Sequence, residues 1–553
     1  MASASSSSSV KMATRIGERG HPEHEWVVDD VCEEFVQLFF QLVRTNKFER
    51  IRELGGIYKD IITKTKALPK SESQEDLLRM VYALPTYTRD CVEGKGERDL
   101  AYALLISKYE EDHDLESLSV TMMRWVKGSK REAPPGSWKD IVNMCNFVSK
   151  WYESKEHCII TRLLGVMSYH LVYDEKSLVA KWAPRESSKK NRWLFYKLVR
   201  ILNPDVDKLS IMEAKFKSAA KRTRKMISSL NIVIGTLEVK QCGKEWSKIN
   251  PSEIPSVALQ KQKTALLNEL RKRAGETRSS DPDRVECAAR FRAHIMAAST
   301  GKGKISGKKT SIYDLVRDAL HGGELTDIQK TLLEEQWKSN GSVVRPGLPA
   351  MIPIVDVSGS MSCDKCTPLY YAIGLGLRAS EKTHPVFRNR ILTFSETPTW
   401  VCLSEEDSFL KRVETLSRAP WGMRTNFYSA LKLILDSMVE NAVSPEDAKS
   451  LVLSVFSDMQ IDAASYDRTP QAMHDTIKEM YAKEGYEAPH ILYWNLRTTN
   501  GFPAVSTNKN VTMLSGFSSV LLNVLEGKGI EELHKYTPYR MICDLLNKDR
   551  FVM

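Results

Sequence analysis

The chain has 553 residues, enough for two or three domains with cores of their own. With 42% hydrophobic and 27% charged residues it is composed like an ordinary globular protein, which excludes a collagen-like or wholly disordered chain, and no apolar run approaches the roughly 18–20 residues a membrane-spanning helix needs. The net charge of +10 is uneven: residues 1–350 carry 59 Lys and Arg against 46 Asp and Glu, residues 351–553 carry 21 against 24, and residues 151–310 alone hold 33 against 16, which marks where a polyanion would bind.

Residues 1–21 read as a disordered tail; the Ser- and Ala-rich start lacks the charged end and apolar core of a signal peptide. From 22 to 340, apolar residues recur every three or four positions, which predicts an all-α, HEAT-like irregular solenoid without a strict repeat. The clearest helices span 28–43, 99–109, 115–126, 139–152, 158–172, 192–202 and 257–273. Leu84-Pro85, Pro134-Pro135-Gly136, Asn203-Pro204 and Asn250-Pro251 act as breakers, and no run of strands is expected here. Within Gly136-Ser137-Trp138, the indole packs between helices while Ser137 caps the next one. Pro184 ends a helix, and Arg185 is placed to reach a carboxylate or a phosphate.

Three basic groups fall in this part. Lys189, Lys190 and Arg192 precede a long helix that carries Lys215, Lys217, Lys221, Arg222, Arg224 and Lys225, and Lys302, Lys304, Lys308 and Lys309 sit in a Gly-rich loop. Such clusters neutralise phosphates or simply solvate helix faces. The Gly301–Thr310 stretch fails the spacing of a phosphate-binding loop, because Lys302 stands where the first Gly must be and Lys309 where the hydroxyl must be.

After a Gly- and Pro-rich linker at 341–350 the pattern changes. Strands at 352–357, 390–395, 399–403, 451–456, 490–496 and 511–514 alternate with helices at 368–382, 427–439, 473–482 and 530–546. That alternation predicts a doubly wound α/β domain over 351–553, whose ligand site lies beyond the carboxyl ends of the strands at the switch point. The ten cysteines are scattered; Cys363-Asp364-Lys365-Cys366 reads as two loop thiols, and reduced thiols suit an intracellular, cytoplasmic setting.

The chemistry falls at those strand ends. The first strand closes on Asp356-Val357-Ser358-Gly359-Ser360, with Gly359 permitting the bend. Thr425 precedes the 427–439 helix, and Asp458 follows the 451–456 strand. Together they offer hard oxygen donors to Mg²⁺ (or Mn²⁺), which takes about six. Hydroxyl ligands leave such an ion strongly positive, suited to holding a partner's carboxylate or phosphate. A hydrolytic site would gather more carboxylates or a second metal. No general base stands out among His384, His474, His490 and His534, so no catalytic residue is assigned and an Mg-dependent hydrolase is the weakest reading.

The three loops resemble the metal-ion-dependent adhesion site of von Willebrand factor A domains. The resemblance implies that Ser358, Ser360 and Thr425 touch the metal and that Asp356 and Asp458 act through water. A wider set of motifs runs along nearly the whole chain: Gly94-Lys95-Gly96-Glu97-Arg98-Asp99-Leu100, Gly136-Ser137-Trp138-Lys139-Asp140-Ile141, Lys181-Trp182-Ala183-Pro184-Arg185-Glu186, Ile254-Pro255-Ser256-Val257-Ala258, Ser457-Asp458-Met459-Gln460, Tyr493-Trp494-Asn495-Leu496 and Leu514-Ser515-Gly516-Phe517-Ser518. In this it resembles an uncharacterised family of large DNA viruses, plants and fungi, itself similar to the Ro autoantigen (TROVE) proteins, where a ring of helical repeats is closed by a von Willebrand A domain. That resemblance implies a scaffold for structured RNA or a ribonucleoprotein, and it admits a virion location. The rival expectation is a metal-dependent protein–protein adaptor that captures an acidic residue without binding RNA.

Overall fold

Among the described residues, the three- and four-residue apolar spacing of the first part is realised as thirteen long helices: Val31–Gln41, Phe48–Ala67, Glu72–Arg89, Asp99–Asp112, Leu115–Lys127, Lys139–Trp151, Cys158–Tyr173, Arg192–Leu202, Ala214–Ile234, Ser256–Leu266, Pro282–Ser299, Ile312–His321 and Asp327–Gly341. The computed structural model describes residues 14–16, 22–27, 29–128, 132–270, 273–321, 325–383, 388–394, 398–419, 427–459, 473–499 and 501–551. Helix starts follow local chemistry: Asp30 accepts from Cys32 N at 2.9 Å, Ser71 from Gln74 N at 3.2 Å and Asp114 from Ser117 N at 2.9 Å. Helices close in the chain pack together in space: Phe48–Ala67 contacts Val31–Gln41, Glu72–Arg89 and, most extensively, Asp99–Asp112, and Cys158–Tyr173 contacts Lys139–Trp151 and Arg192–Leu202. The arrangement is solenoid-like.

Several expectations are corrected. Leu84-Pro85 does not break a helix: Pro85 lies inside Glu72–Arg89. Its missing N–H would strand the carbonyl of Val81, four residues back, and Tyr58 Oη donates to that oxygen at 2.9 Å. The 257–273 helix stops at Leu266, and Asn268, left-handed at φ 57°, turns the chain into a hairpin of β3 (Glu269–Leu270) and β4 (Arg273–Thr277). Earlier, inside the stretch expected to be a tail, β1 (Thr14–Ile16) pairs antiparallel with β2 (Pro22–His24). Ser137 caps nothing; its backbone N–H instead donates to Asp140 Oδ2 at 2.8 Å. Trp138 is buried against His170 as expected.

The second part holds a six-stranded sheet built from β5 (Met351–Asp356), β6 (Arg390–Phe394), β7 (Thr399–Cys402), β8 (Val452–Ser457), β9 (His490–Asn495) and β10 (Val511–Ser515). Their order is β10-β9-β8-β5-β6-β7, parallel throughout except for the antiparallel edge strand β7. Strand β5 is buried along its whole length because both faces of the sheet are covered. Val355 faces the helix Cys363–Lys382 and the core shared with the helical part, whereas Ile352 and Ile354 face the cluster with Leu431, Ile434 and Ile477. The expected loop thiol Cys363 instead opens the helix Cys363–Lys382, and the single closing helix divides at Pro538 into Ile530–His534 and Pro538–Leu546. The described cysteines are free thiols, and no helix among the described residues is long and apolar enough to cross a membrane.

One apolar cluster runs from Phe35 to Phe551 through both parts of the chain. Polar contacts pin the same interface. Lys95, buried beside the Phe39 ring, donates to Phe39 O at 2.6 Å and to Ser515 Oγ at 2.5 Å. Burial pushes its ammonium well below the usual range. Trp494 Nε1 donates to Gly516 O at 2.8 Å, and Asn495 Nδ2 to Phe40 O at 3.3 Å. Arg550 is ion-paired with Asp90. Gly94 allows the Lys95 turn to close, since a Cβ there would lie 2.1 Å from Tyr87 O. Three of the motifs singled out in the sequence, at 94–100, 493–496 and 514–518, therefore meet at one seam between the helical part and the sheet.

Candidate functional site

Strand β5 lies between β6 and β8, and the chain passes to one side of it first and to the other later. The crevice between the carboxyl ends of β5 and β8 is thus the topological switch point. Asp356 ends β5, and Ser457 and Asp458 end β8; all three are fully buried, as is Ser358. Asp356 Oδ1 accepts from Ser358 N at 2.9 Å, and Oδ2 accepts from Ser457 Oγ at 2.6 Å. The Ser358 and Ser360 hydroxyls stand 3.0 Å apart. Beyond Asp458, Met459 adopts φ 60° and donates its N–H to Ser457 Oγ at 3.1 Å. From the end of β9, Arg497 brings Nη1 to 3.5 Å from Asp458 Oδ2.

Four of the five residues expected at the metal site therefore come together: Asp356, Ser358, Ser360 and Asp458. The fifth, Thr425, lies outside the described residues. Gly359 does not have the expected role, because its backbone needs no left-handed conformation and a side chain there would meet open space. Ser457 and Arg497 were missed. Ser457 carried a signal, a hydroxyl at the last position of a buried strand, whereas nothing local distinguishes Arg497.

Burial, and then the charge of Asp458, push the Asp356 carboxyl above the ordinary carboxylate range, while hydrogen bonds from Ser457 and Ser358 pull the other way. Two buried acids facing each other beside paired hydroxyls form a donor set that fits a hard divalent cation. Ser358, Ser360, Asp356 and Asp458 would hold it, and it would supply positive charge for an anionic guest. Among the described residues no group of three or more His, Cys, Asp or Glu converges on a metal position. His490 is neutral and structural: burial holds its imidazole down at about 4, and it bonds Asn510, Thr512 and Leu533 O. His534 pairs with Glu487 at the end of a short helix. The His384 residue and the His474 side chain lie outside what is described.

The Lys and Arg side chains of the three basic groups are all exposed. Some are engaged within the protein: Lys215 with Asp205 at 3.3 Å, Arg222 with Asn203 at 3.1 Å, Arg192 with Glu186 O at 2.9 Å, and Arg224 with Glu186. Arg185 turns back to Ala180 O at 3.0 Å and meets no carboxylate among the described residues. A second grouping emerges only on folding. Lys139, at the first turn of Lys139–Trp151, feels Arg98, Lys261 and Lys190 from three other segments; burial and then these charges lower its ammonium, with Asp140 opposing. Its Nζ lies 5.4 Å from the centre of the Trp182 ring. Among the described residues, the Arg98, Lys190 and Lys261 side chains have no acidic partner. Sequence reasoning found only Lys190 of this group, since the other cations are isolated along the chain.

Residues 350–542 match a family model described as a domain of unknown function (DUF7788), and the match opens one residue before β5. Over 499 residues the chain is 25% identical to the uncharacterized protein L728 of Acanthamoeba polyphaga mimivirus, an alignment spanning 86% of this chain and 80% of that protein. The viral likeness thus extends across the helical part as well as the sheet.

Proposed function

We propose that this protein is a binding scaffold whose sheet part is a von Willebrand A-type domain holding Mg²⁺ (or Mn²⁺) for ligand capture, and whose helical part binds structured RNA in the manner of the Ro (TROVE) proteins. The observation that carries the metal reading is the meeting of Asp356, Ser358, Ser360 and Asp458 at the switch point, with both carboxylates fully buried. Two neighbouring buried acids are costly even with Arg497 beside one of them, and a divalent cation offsets that cost. The RNA reading is supported by the grouping of Arg98, Lys190 and Lys261 around Lys139, which lies near Trp182: the first three have no acidic partner among the described residues, cations of that kind suit phosphates, and an indole offers a face to a base. Filter binding of short structured RNAs at two salt concentrations tests it. Affinity should fall steeply as salt rises; binding that is absent at low salt, or indifferent to salt, removes the RNA reading.

A second reading, a metal-dependent adaptor between proteins, is favoured by the internal partners of Lys215, Arg222 and Arg224, which account for part of the basic surface without RNA. Pull-downs with and without EDTA separate the two readings, and Asp356→Ala should mimic the chelator.

A further inference from the structure

Arg497 is held beside the metal position by an unusually complete set of contacts. Its backbone N–H donates to Asn495 Oδ1 at 2.9 Å, and the preceding Leu496 N–H donates to Ser457 O at 2.9 Å. The next two residues are gripped from the helical part: Thr499 N donates to Gln41 Oε1 at 2.7 Å, while Arg50 reaches Thr498 Oγ1 and Thr499 O, both at 3.0 Å. The backbone is anchored there, and the side chain brings Nη1 to 3.5 Å from the fully buried Asp458 while remaining 34% exposed.

We propose that Arg497 is the second grip of the metal site and sets its specificity, taking one oxygen of a guest carboxylate whose other oxygen meets the cation. The inference rests on the cation reading above. Charge selects the guest. The two acids balance a divalent ion, and Arg497 adds one positive charge, so the complement is a monoanion with two oxygens in one plane. Depth selects it further. Asp356, Ser358 and Asp458 are wholly buried, so only the tip of a guest enters, as an Asp or Glu side chain of a protein partner can. The grip of Gln41 and Arg50 on the next two residues makes the helical part a buttress of this site.

The test uses the full chain loaded with Mn²⁺ and follows water-proton relaxation as acetate, dimethyl phosphate or acetamide displaces metal-bound water. Acetate should act on the wild type at concentrations about tenfold lower than on Arg497→Gln, the loss expected when a charge-assisted fork is removed. Acetamide should be inert, Arg497→Lys should recover part of the response, and Mn²⁺ affinity in Arg497→Gln should be unchanged or tighter. An unchanged acetate response in Arg497→Gln, with Mn²⁺ bound, overturns the assignment alone. Dimethyl phosphate acting below acetate overturns the carboxylate guest. Failure of Mn²⁺ to bind the wild type overturns the cation reading and this inference with it.

Discussion

The helical part and the sheet part each bury charge, and they do so in opposite ways. In the helical part Arg89 and Asp140 form a closed network: Nε to Oδ1 at 2.9 Å, Nη2 to Oδ2 at 2.7 Å, Ser137 N on the same carboxylate, and Tyr102 on its other oxygen. The remaining Arg89 nitrogen donates to Pro135 O at 3.3 Å. Burial alone would raise the Asp140 carboxyl, yet the contacts from Arg89 and the bonds from Tyr102 and Ser137 leave it below the ordinary range. In the sheet part Asp356 faces another acid, and its carboxyl is pushed the other way. A buried charge whose partners are all internal serves the fold; one that meets a like charge at a strand end is a candidate for holding a ligand.

The largest effect should come from opening the closed network. Arg89→Ala leaves Asp140 charged and buried, and denaturant unfolding should show a loss of about 3–5 kcal/mol. A loss under 1 kcal/mol would mean that the network is not closed. Next comes acid. The His490 imidazole titrates near 4 in the fold against about 6.5 unfolded, so the unfolded chain takes up its proton first as pH falls. This stability is present above 6.5 and falls as the pH drops toward 4, by about 3 kcal/mol in all. Thermal melts between those values should show a flatter acid limb in His490→Gln.

The open pair should respond with the opposite sign. Asp356→Asn removes one of two facing charges, and the metal-free protein at pH 7.5 should gain about 1–3 kcal/mol. The same variant should lose the stabilisation that Mg²⁺ gives the wild type. A variant destabilised without metal would place Asp356 with the structural charges. The smallest effects belong to the cations grouped around Lys139: Lys139→Ala and Lys261→Ala should each weaken RNA binding about three- to tenfold and lower the salt slope by roughly one. Lys302→Ala should do less if the grouping beside Trp182 is the binding face.

The two parts also differ in how much could be read from the sequence. In the sheet part, alternating strands and helices fix where the strand ends lie, and the site follows from topology, so Asp356, Ser358, Ser360 and Asp458 were legible before folding. In the helical part the helices from 99 to 202 were placed to within a few residues, because their apolar faces repeat. Phe48–Ala67 and Glu72–Arg89 were missed: polar residues dilute the first pattern, and Pro85 looks like a stop until Tyr58 is seen on Val81 O. The cations around Lys139 come from segments far apart in the chain, and no local pattern joins them. Arg497 was hidden for the same reason, since its meaning depends on Asp458, 39 residues away.

The ends of β5 and β8 are proposed to hold one divalent cation. Calorimetric titration of the full chain with Mg²⁺ at pH 7.5, beside Asp458→Asn, addresses it directly. A single site in the wild type, abolished in the variant while its fold persists by circular dichroism, is the expected result; no heat at millimolar Mg²⁺, or equal binding by both proteins, would contradict it.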